Sequence, residues 1–428
     1  MRAISLQSLS ILAISCTAAV GSDITLIGSP TGVVQTAALA VSDNGQWVAG
    51  WYRPIGQGQP TAIRWSEAGG IEPLGTLWSA NLGFSEARGI SADGSVIVGQ
   101  SDSLINDNVV PVAFRWTLAT GIQRVPGFPF TTRTEAMGVS NNGLAIAGSS
   151  IFFAEPTDRY TGFRFANGSF ESLGSLIFPL TSRALAISRD GATLVGQSGS
   201  LAFRWTSAGG MQSLGLLAGQ NSAVAHAVNA DGSIVVGGSD GSESGSAFRW
   251  TAPTGIQPLP MLPGSQREVA FAVNGDGSII GGESFFLQSG SRAVVWKNGQ
   301  VYDLRELFVD QGINMQSWLL DRVFDLSADG RTAVGIGRFN GQPRGWIITS
   351  LCIDDCPPAC DSIDFNNNGV FPEDQDVIDF LEVLAGGTPS SCDPSLDCND
   401  IDFNNNDVFP EDQDVIDFFN VLAGGACP

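Results

Sequence analysis

Ala227-Val-Asn-Ala-Asp-Gly-Ser-Ile-Val-Val-Gly237, followed by Ala247-Phe-Arg-Trp250 and Leu259, decides the fold. Apolar residues flank an Asp-Gly step that lets the backbone reverse with φ > 0, so two short strands meet in a hairpin. A third strand follows at Ala247 and a fourth near Leu259. The opening element occurs seven times: Ala40-Val-Ser-Asp-Asn-Gly45, Gly89-Ile-Ser-Ala-Asp-Gly94, Gly138-Val-Ser-Asn-Asn-Gly143, Ala186-Ile-Ser-Arg-Asp-Gly191, Ala227 to Gly232, Ala272-Val-Asn-Gly-Asp-Gly277 and Asp325-Leu-Ser-Ala-Asp-Gly330. The spacings of 49, 49, 48, 41, 45 and 53 residues are those of propeller blades rather than helical solenoids. Each copy leads to a strand with an aromatic, at Trp65, Trp116, Phe165, Trp205, Trp250, Trp296 and Trp346. The fourth element reads Leu-Gly at Leu74, Leu173 and Leu214, and more loosely at Val125, Leu259 and Leu304.

The seventh copy has no fourth element after Trp346. At the other end, Ile24-Thr-Leu-Ile-Gly28 reads as a fourth strand without its first three. Placing it in the last blade closes the ring and removes two open sheet edges. The expectation is an all-β, seven-bladed β-propeller over about residues 23–351, closed by the N-terminal strand. A β-solenoid is the rival, though stacked coils have shorter and more regular periods. The units resemble the extracellular HAF repeat family in Ser246-Ala-Phe-Arg-Trp250, in Gly210-Met-Gln-Ser-Leu-Gly215 and in the Asn/Ser-x-Asp-Gly-x-x-x-x-Gly signature. The resemblance implies a secreted propeller and assigns no biochemistry.

Residues 1–22 carry Arg2, an apolar run centred on Ile11 to Val20, and small residues before Ser22, the layout of a cleaved secretory signal. Gln7, Ser8, Ser10 and Ser15 break it too often for a membrane span. Cys16 raises a lipoprotein site, but Ala13 stands where a larger aliphatic residue is usual. No other stretch is apolar enough to cross a bilayer. The propeller has 20 Lys and Arg against 25 Asp and Glu, so nothing is basic enough to suggest nucleic acid. Arg64, Arg115, Arg164, Arg204 and Arg249 recur beside the strand aromatics, which favours a blade-to-blade role over a functional row.

The variable loops lie on the face opposite the Asp-Gly turns. They bring off-repeat aromatics at Trp51, Tyr52, Phe152, Phe153, Tyr160, Phe285 and Phe286, joined by Trp78 and Trp318 from the connections. Such a rim suits sugar rings or a protein partner; the alternative is that these rings fold down as lids. His226, the single histidine, sits in an apolar strand and reads as structural. It leaves no second histidine for a Ser/His/Asp or Cys/His apparatus. Glu155 with Asp158, or Glu283 with a loop Asp, are possible carboxylate pairs, and a solvated loop is the plainer reading of each.

From Cys352 the composition changes. The last 77 residues hold 18 Asp and Glu and no Lys or Arg, so most of the net charge of −22 resides there. Asp364-Phe-Asn-Asn-Asn-Gly-Val-Phe-Pro-Glu-Asp-Gln-Asp376 returns 38 residues later from Asp402. Asp364, Asn366 and Asn368, then Gly369 and the Val370 carbonyl, match the opening half of an EF-hand-type calcium loop, with Asp376 one place beyond the usual twelfth ligand. The second set is Asp402, Asn404, Asn406, Val408 and Asp414, weakened because Asp407 replaces the glycine. Each loop leads to a helix, the first with Val377, Phe380, Leu381 and Leu384 as its apolar face. The alternative is that Glu373, Asp374 and Asp376 complement a helix dipole. Cys352, Cys356, Cys360, Cys392, Cys398 and Cys427 fit three disulfides, with 360–392, 398–427 and 352–356 favoured by position.

Residues 352–428 therefore resemble a cysteine-bearing dockerin-like tail: a small α-helical, disulfide-rich calcium-loop domain with two calcium sites, the second weaker. The resemblance implies a cohesin-like or cell-envelope docking partner. The functional expectation is a secreted, non-enzymatic binding or scaffold protein with a carbohydrate or protein ligand at its rim. The alternatives are an extracellular carbohydrate-active enzyme, glycosidase or lyase, and a purely structural surface-layer component.

Overall fold

The repeated Ser-x-Asp-Gly turn is held by its own side chains. At Ser91 the hydroxyl donates to Asp93 Oδ1 at 2.8 Å and accepts from the Val96 N–H at 2.9 Å, while Asp93 Oδ1 accepts from the Ser95 N–H at 3.0 Å. Chiefly through its bonds from Ser95, the Asp93 carboxyl is held down to about 2. Gly94 follows at φ +72°, a conformation that a Cβ disfavours. Such a turn makes one hairpin, and each hairpin extends into a four-stranded antiparallel meander.

A computed structural model describes residues 23–28, 33–54, 56, 58–78, 83–105, 107–127, 133–152, 159–177, 181–241, 245–311, 313–353, 374–385, 415–416 and 418–419. Two compact units are present, Ser22–Ile353 and one that includes Asp354–Pro428. Within the first, the meanders follow one another at 33–75, 85–124, 133–172, 182–213, 222–258, 267–303 and 318–349; we number them units 1 to 7. Units 5 and 6 share one sheet through a single parallel bridge, Gly245 with Arg267. Unit 7 has three strands of its own, and its fourth is the N-terminal strand Asp23–Leu26, paired antiparallel with Trp346–Thr349.

Contacts between units repeat as the strands do. The turn glycine of each unit lies against the residue two places beyond the turn glycine of the preceding one. Gly94 faces Trp47, Gly143 Val96, Gly191 Ala145, Gly232 Thr193, Gly277 Ile234 and Gly330 Ile279, and the series returns on itself with Gly45 against Thr332. Backbone bonds join the same turns, from the Asp43 N–H to Ala92 O at 3.2 Å and onward to Ala328 N–H with Asp43 O at 3.0 Å. Three of the five repeated arginines serve these junctions. Arg64 donates to Gly94 O at 3.3 Å, Arg164 to Gly191 O at 2.9 Å and Arg204 to Gly232 O at 3.0 Å. The core is distributed between neighbouring sheets in separate clusters, such as Ile97, Phe114 and Trp116 packed on Ala40 and Leu74.

Two features depart from the pattern. Leu304, expected in a fourth strand, opens helix α1 (Leu304–Asp310), for which Asp303 accepts from the N–H groups of Arg305 and Glu306. Phe308 and Leu304 bury beside Met315, Trp318 and Trp346. In the second compact unit, helix α2 (Asp374–Leu384) carries a buried Phe380, stacked 4.1 Å from Phe418, its counterpart in the duplicated motif. Its buried face includes Asp379, which accepts from Gln375 at 2.8 Å, while Leu381 is exposed. The apolar stripe is therefore narrower than expected. Cys352 is disulfide-bonded. The signal segment, the five other tail cysteines and the loop ligands Asp364, Asn366, Asn368, Val370, Asp402, Asn404, Asn406, Val408 and Asp414 lie outside the described residues. So does the side chain of Asp376.

Candidate functional site

In every unit the pairing of the first strand with the second slips at one shared place, and in units 1 and 7 it slips a second time, between Val33 and Gln35 and between Leu320 and Arg322. The shared slips fall between Ala38 and Ala40, Ala87 and Gly89, Ala136 and Gly138, Ala184 and Ala186, Ala225 and Ala227, Ala270 and Ala272, and Val323 and Asp325. A β-bulge inserts one unpaired residue and re-aims its side chain. The second strand accommodates it with the last glycine of the sequence signature. A Cβ at Gly50 would lie 2.0 Å from Ala37 O, and one at Gly237 1.9 Å from Val224 O. The far glycine of the repeat is thus a condition of the bulge.

The seven inserted residues are Leu39, Arg88, Met137, Leu185, His226, Phe271 and Phe324. All seven line one cavity of about 660 Å³, enclosed by the first strands of all seven units. The scaffold is constant, and what it presents differs from unit to unit. A channel of that size, part apolar and part charged, has the dimensions of a ligand pocket.

At the turn end the channel is crossed by a side-chain bridge. Arg189 of unit 4 pairs with Asp43 of unit 1 at 3.0 Å, and Asn141 of unit 3 donates to the same carboxylate. A Cβ at Gly275 of unit 6 would lie 2.7 Å from Arg189 Nη1, so that guanidinium spans the axis. Beside it Asp325 accepts from the Val41 and Leu326 N–H groups, both at 2.9 Å. Burial pushes the Asp325 carboxyl up to about 6 against the pull of those bonds.

Towards the loop end, each cation has a carboxylate. Arg183 binds Glu135 Oε1 at 2.8 Å and lies 4.8 Å over the Tyr160 ring. Arg322 pairs with Glu283 and lies over Phe271 and Phe324 at 4.6 and 5.2 Å. Arg88 is held more loosely, 3.4 Å from Glu86 and 3.4 Å from Met137 Sδ. His226 packs 4.8 Å from Phe271; burial, then Arg322 and Arg267, push its pKa down to about 4, so it is a neutral imidazole at pH 7.

His226 lies within the first strand of unit 5 (Ser222–Val228), as expected, and the bulge there turns it to the channel wall. Glu283, read as half of a carboxylate pair, is tied to Arg322 and to the Ser291 hydroxyl. Glu155 and Asp158 lie outside the described residues, as does Phe153. Of the other rim aromatics, Trp78 and Phe285 are exposed, and Trp51, Tyr52, Phe152, Tyr160 and Phe286 are half-buried. Trp318 is 6% exposed and packs on Phe339 at 4.8 Å, so it belongs to the core around α1 rather than to a rim. Trp318 opens the first strand of unit 7 (Trp318–Leu326) rather than a connection, and it is buried beside Leu304 and Phe308 of α1. The small residues of Ala-x-(Ala/Gly), present in six units and replaced by Val323-Phe-Asp325 in unit 7, were the signal that marked the channel residues. Among the described residues no cluster of three His, Cys, Asp or Glu could hold a metal ion, and no helix is long and apolar enough to cross a membrane.

No protein-family profile and no curated protein matches the sequence. Among solved structures the chain is similar to an oligogalacturonate lyase in complex with manganese, at 13% identity and TM-score 0.48 over 78% of this chain and 97% of that one. It is similar to TolB from Acinetobacter baumannii at 12% identity and TM-score 0.41, over 72% of this chain and 65% of TolB. It is also similar to the β-propeller domain of the Trilobed protease from Pyrococcus furiosus at 10% identity and TM-score 0.46, over 74% and 96% of the two chains. The likeness is one of β-propeller architecture.

Proposed function

We propose that the chain is a secreted, non-enzymatic binding protein on a closed seven-bladed propeller, whose extracellular ligand enters the axial channel from the loop end. The observation that carries this reading is the ring of bulges: one backbone device, used seven times, presents seven side chains to a single cavity. The carboxylates in and behind the channel wall support it: Asp43, Glu86 and Asp325 line the cavity, Glu135 holds the lining Arg183, and Glu283 holds Arg322, which stacks on the lining Phe271. Glu86, Glu135, Glu283 and Asp43 each face an arginine, and Asp325 accepts two backbone N–H groups. That arrangement builds a fixed polar wall, whereas acid–base work on a glycosidic bond needs a carboxyl free to exchange a proton with the substrate. Tyr160 under Arg183, and exposed Phe285, extend the contact surface towards the loops.

The tail is proposed to hold calcium through the Asp364 and Asp402 loops and to dock the propeller on a partner or the cell envelope. The donor chemistry supports it: oxygen side chains at alternate positions suit a hard cation at extracellular, near-millimolar concentrations.

The test immobilises full-length protein and passes soluble polysaccharides and extracellular proteins over wild type and Leu185→Trp, which fills the channel at the bulge tier. Retention lost in the variant, without turnover of the retained material, supports the channel. Equal retention by both, or turnover that Glu86→Gln abolishes, replaces this reading with another surface or with an enzyme. Calorimetric calcium titration of the full chain tests the tail, with Asp364→Ala reducing uptake; no uptake by about 1 mM removes the calcium proposal.

A further inference from the structure

The turn of unit 1 departs from the other six. Two places after the turn glycine they carry Val96, Ala145, Thr193, Ile234, Ile279 and Thr332; unit 1 carries Trp47, preceded by Gln46. The added indole is not consumed by the core. Trp47 is half-buried, with Arg64 lying 4.2 Å over its ring and Gly94 of unit 2 pressed against its base. An aromatic fixed in this way loses little freedom when it meets a ligand, which favours affinity.

Trp47 helps to line a cavity of about 710 Å³ on the turn face, away from the loop rim. The cavity lies where the ring closes, so its walls come from both sides of the seam: Thr25 of the N-terminal strand, Thr349 of the last strand, and Gln46, Trp47 and Trp65 of unit 1. Asn44, Ser66 and Thr332 add amide and hydroxyl groups, and Ile347 and Ala68 add apolar surface. Glu67 is the one ionisable side chain, and no Lys, Arg or His is among the lining residues.

That composition selects a chemistry. Without a cation in the wall, a carboxylate, phosphate or sulfate would shed its water with nothing to replace it. A hydrocarbon ligand would leave the hydroxyls and amides unmet. Arg64, over the Trp47 ring, is paired with Glu72 at 2.7 Å and is not itself a lining residue, so an indole beside hydroxyl and amide groups matches a molecule with C–H faces and hydroxyl edges.

We propose that the seam pocket binds a neutral saccharide, and that the sugar bridges the N-terminal strand and unit 1 across the closure. This site is separate from the channel and does not depend on it.

Full-length wild type, Trp47→Ala, Gln46→Ala and Leu185→Trp are to be applied to an array of neutral and acidic glycans, and the best neutral glycan carried into calorimetry and thermal melting. Gln46 is an exposed turn residue, so its variant keeps the test valid where Trp47→Ala fails to fold. The expected result is retention of neutral glycans, a loss in affinity of about tenfold in Trp47→Ala and several-fold in Gln46→Ala, and no change in Leu185→Trp. The bridging sugar should also raise the melting temperature of wild type, and raise it less in either seam variant. The proposal is overturned by retention of acidic glycans alone or of none, by equal affinity in wild type and both seam variants, or by loss of binding in Leu185→Trp, which would place the sugar in the channel.

Discussion

His226 and Asp325 are both buried against the channel and titrate in opposite senses. The His226 imidazole has its pKa pushed down from 6.5 to about 4. The unfolded chain therefore takes up a proton that the folded chain refuses, and this residue's contribution is present above pH 6.5 and lost as the pH falls towards 4. Asp325 is pushed up from 3.8 to about 6. Its folded form keeps a proton that the unfolded chain releases, so its contribution is present below pH 3.8 and lost as the pH rises through 6. In one chain the two effects oppose each other. Relative to wild type, His226→Phe should gain stability as the pH falls through that window and Asp325→Asn should gain it as the pH rises, each by on the order of 3 kcal/mol, with urea denaturation at several pH values as the measurement. Equal pH dependence in all three proteins would show that neither shift exists. Asp325 was legible as an anomaly, since the other six units have Ala40, Gly89, Gly138, Ala186, Ala227 and Ala272 there. Its role was not, because the Val41 N–H it accepts is 284 residues away.

At the scale of the element, the second glycine of the repeat explains why a hairpin signature extends five residues past its turn. The Asp-Gly step needs glycine for φ, which sequence pattern reveals directly. Gly50 to Gly335 in the second strands need it because the bulged strand's carbonyl comes too close. Gly237→Ala should cost about 3 kcal/mol in urea or guanidinium unfolding through the clash with Val224 O, whereas Gly255→Ala, whose Cβ meets nothing within 4 Å, should cost only about 1–2 kcal/mol of left-handed backbone strain. The same cost for both would remove the argument that the bulge is what the glycine permits. Helix α1 was readable too: Asp303 followed three residues later by Glu306 has the form of an N-terminal cap, and Asp303 does accept from Glu306 N at 3.3 Å. A strand repeat of the same length concealed it. Trp318 went astray for a related reason, since an off-repeat aromatic next to an unrecognised helix resembles a rim residue.

For the whole molecule, period and turn chemistry were enough to order the strands, including the return of Asp23–Leu26 to the strand of Trp346. The channel was not legible. It depends on which face of a bulge each residue takes, and on unit 1 meeting unit 4 across the axis through Asp43 and Arg189. Deleting residues 23–28 should leave the edge of Gln342–Thr349 unpaired and uncover the cluster that Ile24 and Leu26 pack against. The expected outcomes are a lower melting temperature and concentration-dependent association in light scattering. A truncated protein that melts as wild type and stays monomeric would mean that unit 7 is sufficient without its borrowed strand.

The register of that borrowed strand sets Asp23 opposite Thr349. The two ends of the ring therefore leave it side by side, from the same end of one antiparallel pair. Tension applied between them would part the ladder one rung at a time, as a zip opens, instead of shearing all of its bonds together. A load carried between the N-terminus and the tail would thus be borne by the weakest geometry a strand pair can offer, and anything held across that junction would also act as its clasp.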